Sequence, residues 1–582
     1  MYIKNFILIW IFIFNNVIAQ TLPAPTLKEG FPIRLCDDCK QASIVGSPRF
    51  YDLNNDSTLE IIVSSHKCVF VIQNNGISLS GWPKCFNQYV VDHNAAIGDI
   101  DGDGYPEIVI VTYEYIGPNG SLYALRADGE VVNGFPVNFT YNGGVYNPVL
   151  YDMGVDGKLE IFFRAGQYIY AYDHQGNLLP GWPQGVSYGK LVGSVIVSDL
   201  DFDGKPEIFA GSTKIPPADT MVSFAINVWN PDGTIKPGWP FIVKNRYFSC
   251  NQLGAVGNFP EDSIKVLCFT TSRYPPVDIY ETYVLNSNGE IIPGWPQRML
   301  WTPYWVSGVT MLDLYKAGIP EVIIAGDFWR HFYAWEIDGR MLPKFPIGIG
   351  LAGSFYGNVA TVPIVYHDIE NRDFVMFAGT SVTEGDSGFF VAMKSDSTPA
   401  PWSMLKLYGL IHSSPAFADL EGDGSIEMAI VTLSMTLTGL GKEQYLYVYE
   451  FKGIPFDKRH FPWPISRANR WNTGEFGFEP TDTVVVAVRS EKGLPTKTRL
   501  LQNYPNPFNA STKIKYEIDK QTKVKICIYN TIGQKISTLV DAEQQAGIYE
   551  AVFNGDKYPS GVYYAKLETP EYTNVKKLIL MR

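Results

Sequence analysis

One acidic element recurs along this chain at intervals of 47 to 59 residues, and that recurrence limits the available folds more than any other feature. Its clear copies are DLNNDSTLEIIV from Asp52, DIDGDGYPEIVIV from Asp99, DMGVDGKLEIFF from Asp152, DLDFDGKPEIFAG from Asp199, DLYKAGIPEVIIAG from Asp313 and DLEGDGSIEMAIV from Asp419. Two worn copies, NFPEDSIKVLCF from Asn258 and DIENRDFVMFAG from Asp368, fill the gaps and bring the count to eight units. A second marker runs between them: GWP at Gly81, Gly181, Gly238 and Gly294, GFP at Gly30 and Gly134, with variants at Lys344–Pro346 and His460–Pro464. Most copies follow a hairpin dipeptide, as in ADGEVVNGFP and NPDGTIKPGWP. Asn-Gly and Asp-Gly favour the positive φ values of two-residue hairpins.

Each unit therefore reads as a strand into the acidic loop, a β-branched strand out of it, a third strand, a hairpin and a short GWP strand. Four short strands per unit match a propeller blade, and no sustained 3.6-residue pattern competes. With 53 Gly and 39 Pro among 582 residues, the composition also suits strands and tight turns. The expected fold is all-β: a β-propeller of eight blades, or seven if units merge, followed by a small β-sandwich. The GFP at Gly30 precedes the first unit and can supply a closing strand to the last blade, hiding both sheet edges.

Numbered from one, DIDGDGYPE places acids at one, three, five and nine: Asp99, Asp101, Asp103 and Glu107. Gly104 at six permits a sharp turn, and the carbonyl of Tyr105 at seven adds an oxygen. Hard oxygen donors without His or Cys predict structural Ca2+ over a transition metal. Asp199, Asp201, Asp203, Lys205 (through its carbonyl) and Glu207 make a second full set. Asp419, Glu421, Asp423, Ser425 (carbonyl) and Glu427 make a third. Asp52, Asn54, Asp56, Thr58 (carbonyl) and Glu60 make a fourth, with Ser57 where glycine is expected. The Asp152 copy lacks a ligand at position three, where Gly154 stands; the Asp313 copy keeps only Asp313 and Glu321; those at Asn258 and Asp368 read as metal-free. A solvated acidic turn is the other reading of any single loop. Repetition argues against catalysis, because a catalytic carboxylate pair is unique within its protein. A phosphate loop is excluded by the acids and by the strand that follows.

These units resemble FG-GAP or VCBS-type repeats, the family that includes the integrin alpha-chain propeller, over roughly residues 25–478. The resemblance implies the same β-hairpin calcium loop.

Residues 1–19 have the form of a secretory signal peptide, with Lys4, an apolar run from Phe6 to Phe14, and small residues before Gln20. No later apolar run is long enough for a transmembrane helix in the mature chain. A net charge of -12 argues against general nucleic-acid binding. Seven cysteines include a lone C-x-x-C at Cys36 and Cys39, a weak signal for zinc or redox chemistry and more in keeping with a local disulfide or free thiols. The domains expected are the propeller over 20–478, a linker over 479–496 and a compact all-β unit over 497–582. That last unit contains Asn503, Pro505 to Asn509, Ser511-Thr512, the turn YNTIGQ, Ser560 to Tyr564 and the basic pair Lys576-Lys577. It closely resembles the C-terminal sorting domain of the Por, or type nine, secretion pathway, with Ala510 where that family often has proline. The resemblance implies handling by outer-membrane secretion machinery and export by a Gram-negative bacterium to the surface or medium.

The GDSG at Gly385 lacks the context of a serine-protease loop. Two aromatic segments, WTPYWVSG from Trp301 and DFWRHFYAWE from Asp327, either pack between blades or present rings to a ligand. The leading functional reading is a calcium-binding surface module, an adhesin-like binder of a glycan or protein ligand and more in keeping with a non-enzyme. A secreted polysaccharide-degrading lyase or hydrolase on a propeller scaffold is the alternative, and a self-assembling surface-layer component is a third.

Overall fold

The structure is a computed structural model that describes residues 24–36, 46–455 and 497–580 apart from short interruptions, the longest at 349–363, 313–321 and 215–222. The signal segment, the linker, Cys39, Cys250, Trp301 to Trp305 and the loop 313–321 lie outside the described residues. So do the loops 259–264 and 369–372 of the two worn copies. The chain divides into two compact units, Met1–Phe478 and Glu479–Arg582.

Every element assigned among the described residues is a β-strand. In the first unit they form eight antiparallel sheets, one for each sequence unit, which is the architecture of a β-propeller. The second sheet shows the pattern. Ala96–Gly98 enters the acidic loop and Glu107–Tyr113 leaves it, with Gly98 opposite Glu107. Asn119–Leu125 pairs with Glu107–Tyr113, and Val137–Thr140 pairs with Asn119–Leu125. The β-branched run of Glu107–Tyr113 is buried on both faces, as a central strand requires, whereas Val137–Thr140 is half exposed.

Neighbouring sheets share apolar clusters. Val109, Leu122 and Phe139 of the second sheet pack with Leu150, Ile161 and Phe163 of the third. The eighth sheet is closed by the start of the chain: Thr26–Leu27 and Ile33–Cys36 both pair with Gly441–Pro455. That sheet then packs on the first, with Leu433, Leu446 and Val448 against Ile61 and Val63. The early GFP marker thus does close the last sheet, and an edge that would otherwise stay open is covered.

The hairpins differ from expectation. Gly129 N–H donates to the Arg126 carbonyl (2.8 Å) and Arg126 N–H to that of Glu130 (2.9 Å), leaving three residues in the loop instead of two. Positive φ falls on Gly129 (79°) but not on Asp128, whose carboxylate instead accepts the Glu130 N–H at 2.9 Å. This is the type I turn with a glycine bulge.

The GWP corner joins sheets. Trp82 Nε1 donates to the carbonyl of Ala127 (2.7 Å) and Trp182 Nε1 to that of Pro231 (2.9 Å), each in the next unit's hairpin. Gly81 has φ +90°, and a Cβ there would stand 2.3 Å from the Asp128 carbonyl oxygen, so the corner accepts glycine alone. A disulfide, Cys68–Cys85, ties the third and fourth strands of the first sheet, while Cys268 and Cys527 are buried free thiols. In the segment His331–Glu336, Phe332, Tyr333 and Trp335 are buried, so these rings pack in the core.

The second unit is a sandwich. One sheet holds Arg499–Leu500, Ser511–Ile518 and Gly547–Asn554; the other holds Lys535–Gln544, Thr522–Asn530, Gly561–Glu568 and Thr573–Leu580. Ile514, Tyr516 and Phe553 of the first meet Ile526, Leu567 and Leu578 of the second in one core. Asn506, from the NYPNPFN stretch, donates to the Lys577 carbonyl (3.0 Å) and accepts the Ile579 N–H (2.8 Å), clamping the final strand.

Candidate metal centres

Five acidic loops are described, and the same hydrogen bonds build each. The carboxylate at position one accepts the N–H of position six, as Asp99 does from Gly104 (2.8 Å) and Asp419 from Gly424 (2.9 Å). The acid at position five accepts the N–H of position seven: Tyr105 to Asp103, Lys205 to Asp203 and Thr58 to Asp56 at 2.8 Å, Ser425 to Asp423 at 2.7 Å. The glutamate at nine turns back, and its Oε2 accepts the N–H of position two. The pairs are Glu60 with Leu53, Glu107 with Ile100, Glu160 with Met153, Glu207 with Leu200 and Glu427 with Leu420, all between 2.7 and 3.0 Å. Loop hydrogen bonds are thus satisfied by side chains, as a tight non-ladder turn requires. The Asp152 copy keeps this frame despite Gly154. At position six Gly104 has φ 89°, and Ser57 is held at φ 73°.

The loops abut. Leu159 N–H donates to the Ile100 carbonyl (3.0 Å), and Leu59 N–H to that of Leu420 (2.8 Å), so the Asp152 and Asp52 loops are each tied to that of the preceding sheet; Pro106 and Pro206 at the same position have no N–H for such a bond.

The position-nine glutamates are the unusual groups. Glu60, Glu107, Glu207 and Glu427 are buried. Burial pushes the Glu107 carboxyl up to about 8, opposed by its bond from Ile100 and reinforced by Asp101, Asp103 and Asp99. Burial likewise raises Glu60, Glu160 and Glu427 to about 7, and Glu207 in the same direction. A buried carboxylate among other acids either holds a proton or needs a cation.

Two observations fit a cation. In the Asp99 loop, carboxylate oxygens of Asp99, Asp101 and Glu107 lie within 4.8 Å of one another. In the Asp419 loop, Glu427 Oε1 is buried with no hydrogen-bond partner among the described residues. Asp199, Asp201 and Asp203 also converge within 4.8 Å, but Glu207 Oε1 and Asp201 Oδ2 each accept a bond from Lys236 Nζ at 2.6 Å. In the Asp52 loop, Asn54 faces the acids as a donor: its Nδ2 bonds Asp56 Oδ2 (2.9 Å) and Glu60 Oε1 (3.1 Å). Neither the Asp52 nor the Asp419 set brings three carboxylates as close among the described residues. Sequence reasoning missed the inward fold of the glutamate and the reach of Lys236. The signal for the first was Glu at position nine in six of the eight units; for the second, a lysine where five other corners carry an aliphatic residue.

Residues 52–110 match the family model of the FG-GAP-like repeat, and residues 502–581 match that of the secretion system C-terminal sorting domain. No curated protein is a significant match to the chain. Among solved structures, similarity extends to the PilY1 C-terminal domain of Pseudomonas aeruginosa, at 12% identity over 72% of this chain and 92% of that one, with a TM-score of 0.30. The cobalt-substituted ACO of Synechocystis is similar at 8% identity over 60% and 69%, TM-score 0.30. The core factor of S. cerevisiae is similar at 8% identity over 69% and 62%, TM-score 0.32. No helix among the described residues is long and apolar enough to cross a membrane. The sorting domain implies handling by the type IX secretion machinery. The chain carries an FG-GAP-like repeat in a β-propeller and ends in a Por-type C-terminal sorting domain, and it is a secreted or cell-surface protein.

Proposed function

We propose that this protein is a calcium-stabilised binding module, delivered across the outer membrane of a Gram-negative bacterium to hold a glycan or protein ligand at the cell surface. The observation that carries the calcium reading is the Asp99 loop, where the carboxylates of Asp99 and Asp101 converge on that of the buried Glu107. Asp99, Asp101, Asp103, the Tyr105 carbonyl and Glu107 would hold the ion. Calcium supplies compensating charge, which lets the glutamate ionise while its Oε2 still grips the Ile100 N–H. The chain's own contribution is the frame, repeated in five loops, and the Asp99 loop is linked to that of the third sheet through the Ile100 carbonyl. An ion would therefore stiffen a junction between sheets.

The ligand reading is supported by a groove of about 590 Å3, remote from the second sheet's acidic loop and lined by Gln88, Asn119, Asn138, Phe139, Tyr170 and Tyr172 among others. Tyr170 stacks on Phe163 and Tyr172, presenting an aromatic face beside amide side chains. That combination suits a sugar ring, which stacks on its apolar face and hydrogen-bonds at its rim. A glycan array probed with the purified protein tests the reading, with Tyr170→Ala as control. Binding that the variant loses while keeping its fold supports it. Absence of binding to any glycan or surface protein refutes it, and turnover of a polysaccharide replaces it with the enzymatic alternative.

A further inference from the structure

The residue two places before each corner's first position (Gly81, Gly134, Gly181, Gly294 or Lys344) has a fixed place in the sheet. Its N–H donates to the third strand: Leu79 to the Val71 carbonyl, Val132 to Ala124, Leu179 to Ala171, Ile292 to Val284, and Leu342 to Ala334, all between 2.8 and 3.0 Å. Val132 is buried with Ile100 of the acidic loop in its own sheet. So the side chain at this position reaches the floor of that loop, and in five sheets it is aliphatic.

In the fourth sheet the position holds Lys236, whose N–H makes the same bond, to Val228 at 2.9 Å. Its Nζ bonds Asp201 Oδ2 and Glu207 Oε1, both at 2.6 Å. The lysine side chain is 13% exposed and that of Glu207 2%, so the pair is shielded from water. The eighth sheet repeats the device from the other end of the chain. Lys28 precedes Gly30, donates its N–H to Val448 (2.9 Å), and reaches Glu421 at 2.8 Å. It leaves Glu427 Oε1 without a partner, so there the engagement is partial. Lys265 of the fifth sheet lies 5.1 Å from the Phe202 ring centre and 3.5 Å from Ser198 Oγ, bringing a second positive charge to the border of the Asp199 loop. The Asp99 loop, with Val132 beneath it, has no such lysine at this position.

We propose that Lys236 is an intramolecular counter-cation: its ammonium group takes the place of a divalent metal in the Asp199 loop, which is therefore metal-independent although its acids match those of the Asp99 loop. An ammonium is a compact point charge on a flexible stem, suited to sit among carboxylate oxygens. Coulomb repulsion then opposes entry of calcium, and two of the oxygens it would need are already engaged, although Asp199 Oδ1 stays buried without a hydrogen-bond partner among the described residues. The residue beneath the loop, not the acid count, decides which loops take metal. This inference rests on the calcium reading of the other loops, but it can fail separately from it.

The test is the number of calcium ions bound per purified full-length chain, measured by equilibrium dialysis against calcium chloride. Lys236→Leu should bind one ion more than the wild type, and Lys236→Arg no more than the wild type. Asp101→Asn should bind one fewer. If Lys236→Leu gains no ion while Asp101→Asn loses one, the inference falls and the calcium reading stands. If the wild type binds none and Lys236→Leu binds one, the inference stands and the calcium reading of the wild type falls. Should Lys236→Leu not fold, wild-type crystals grown with manganese decide the matter. An anomalous peak inside the Asp199 loop overturns the proposal, and Lys236 Nζ there without a peak supports it.

Discussion

Replacing Glu107 by glutamine should change stability in opposite directions with and without calcium. The carboxyl is buried, and its value stands at about 8 against an ordinary 4.5. Because the folded value is raised, the neutral form is the one that fits. The favourable contribution is complete below the unfolded value of 4.5 and is lost as pH rises through about 8. Near pH 7.5 the metal-free fold must take up a proton the unfolded chain has released, which at about 1.4 kcal/mol per unit opposes folding by roughly 4 kcal/mol. Glutamine keeps the carbonyl oxygen that receives the Ile100 N–H, 3.0 Å away, and carries no charge. In chelator, Glu107→Gln should therefore be more stable than the wild type by roughly 2–4 kcal/mol, and the wild type itself should be more stable near pH 5 than near pH 8. In calcium the variant loses a ligand. A site weakened a thousandfold or more forfeits about 4.1 kcal/mol of binding stabilisation, which outweighs the gain of roughly 2–4 kcal/mol, so the order should reverse. Urea titrations of both proteins, in chelator and in millimolar calcium, read both signs. Equal destabilisation by Glu107→Gln in both media would refute the reasoning, because it would show that the ionised carboxylate stabilises the loop without a cation.

Three further outcomes follow from named contacts. Trp82→Phe removes the 2.7 Å bond from Nε1 to the Ala127 carbonyl and should cost about 1 kcal/mol in chemical denaturation. Ser57→Gly relieves a side chain held at φ 73°; a gain of about 0.5–1 kcal/mol is expected by the same assay, and a loss would mean that the Ser57 hydroxyl holds the loop. Reduction of Cys68–Cys85, which encloses a sequence separation of 17, should lower stability by about 3 kcal/mol, with Cys68→Ser matching the reduced wild type.

Most of the scaffold was legible in the sequence because it is written locally and repeatedly. The β-branched runs after each acidic loop became central strands, and the early GFP became the strand that closes the last sheet. The hairpins were misread by one residue, since Asp-Gly also serves a type I turn with a glycine bulge and composition alone does not separate the two. Long-range contacts were hidden. The bond from Trp82 to Ala127 spans 45 residues, and its partner is a carbonyl, which has no sequence signature. Glu107 could be counted as an acid but not seen to fold inward onto Ile100. Lys236 stands 29 residues from Glu207, and only the register of three strands brings them together. Acid count along a loop therefore ranked the sites incompletely, because the side chain beneath the loop belongs to a different part of the repeat.

Calcium in the acidic loops is what would let the buried glutamates ionise and the propeller gain stability from them. Elemental analysis of the purified protein after dialysis in calcium, paired with its melting temperature before and after chelation, tests this most directly. Calcium retained in whole-number proportion to protein, with a lower melting temperature once it is stripped, is the predicted result. Protein free of calcium whose melting temperature is the same in chelator and in calcium would contradict it.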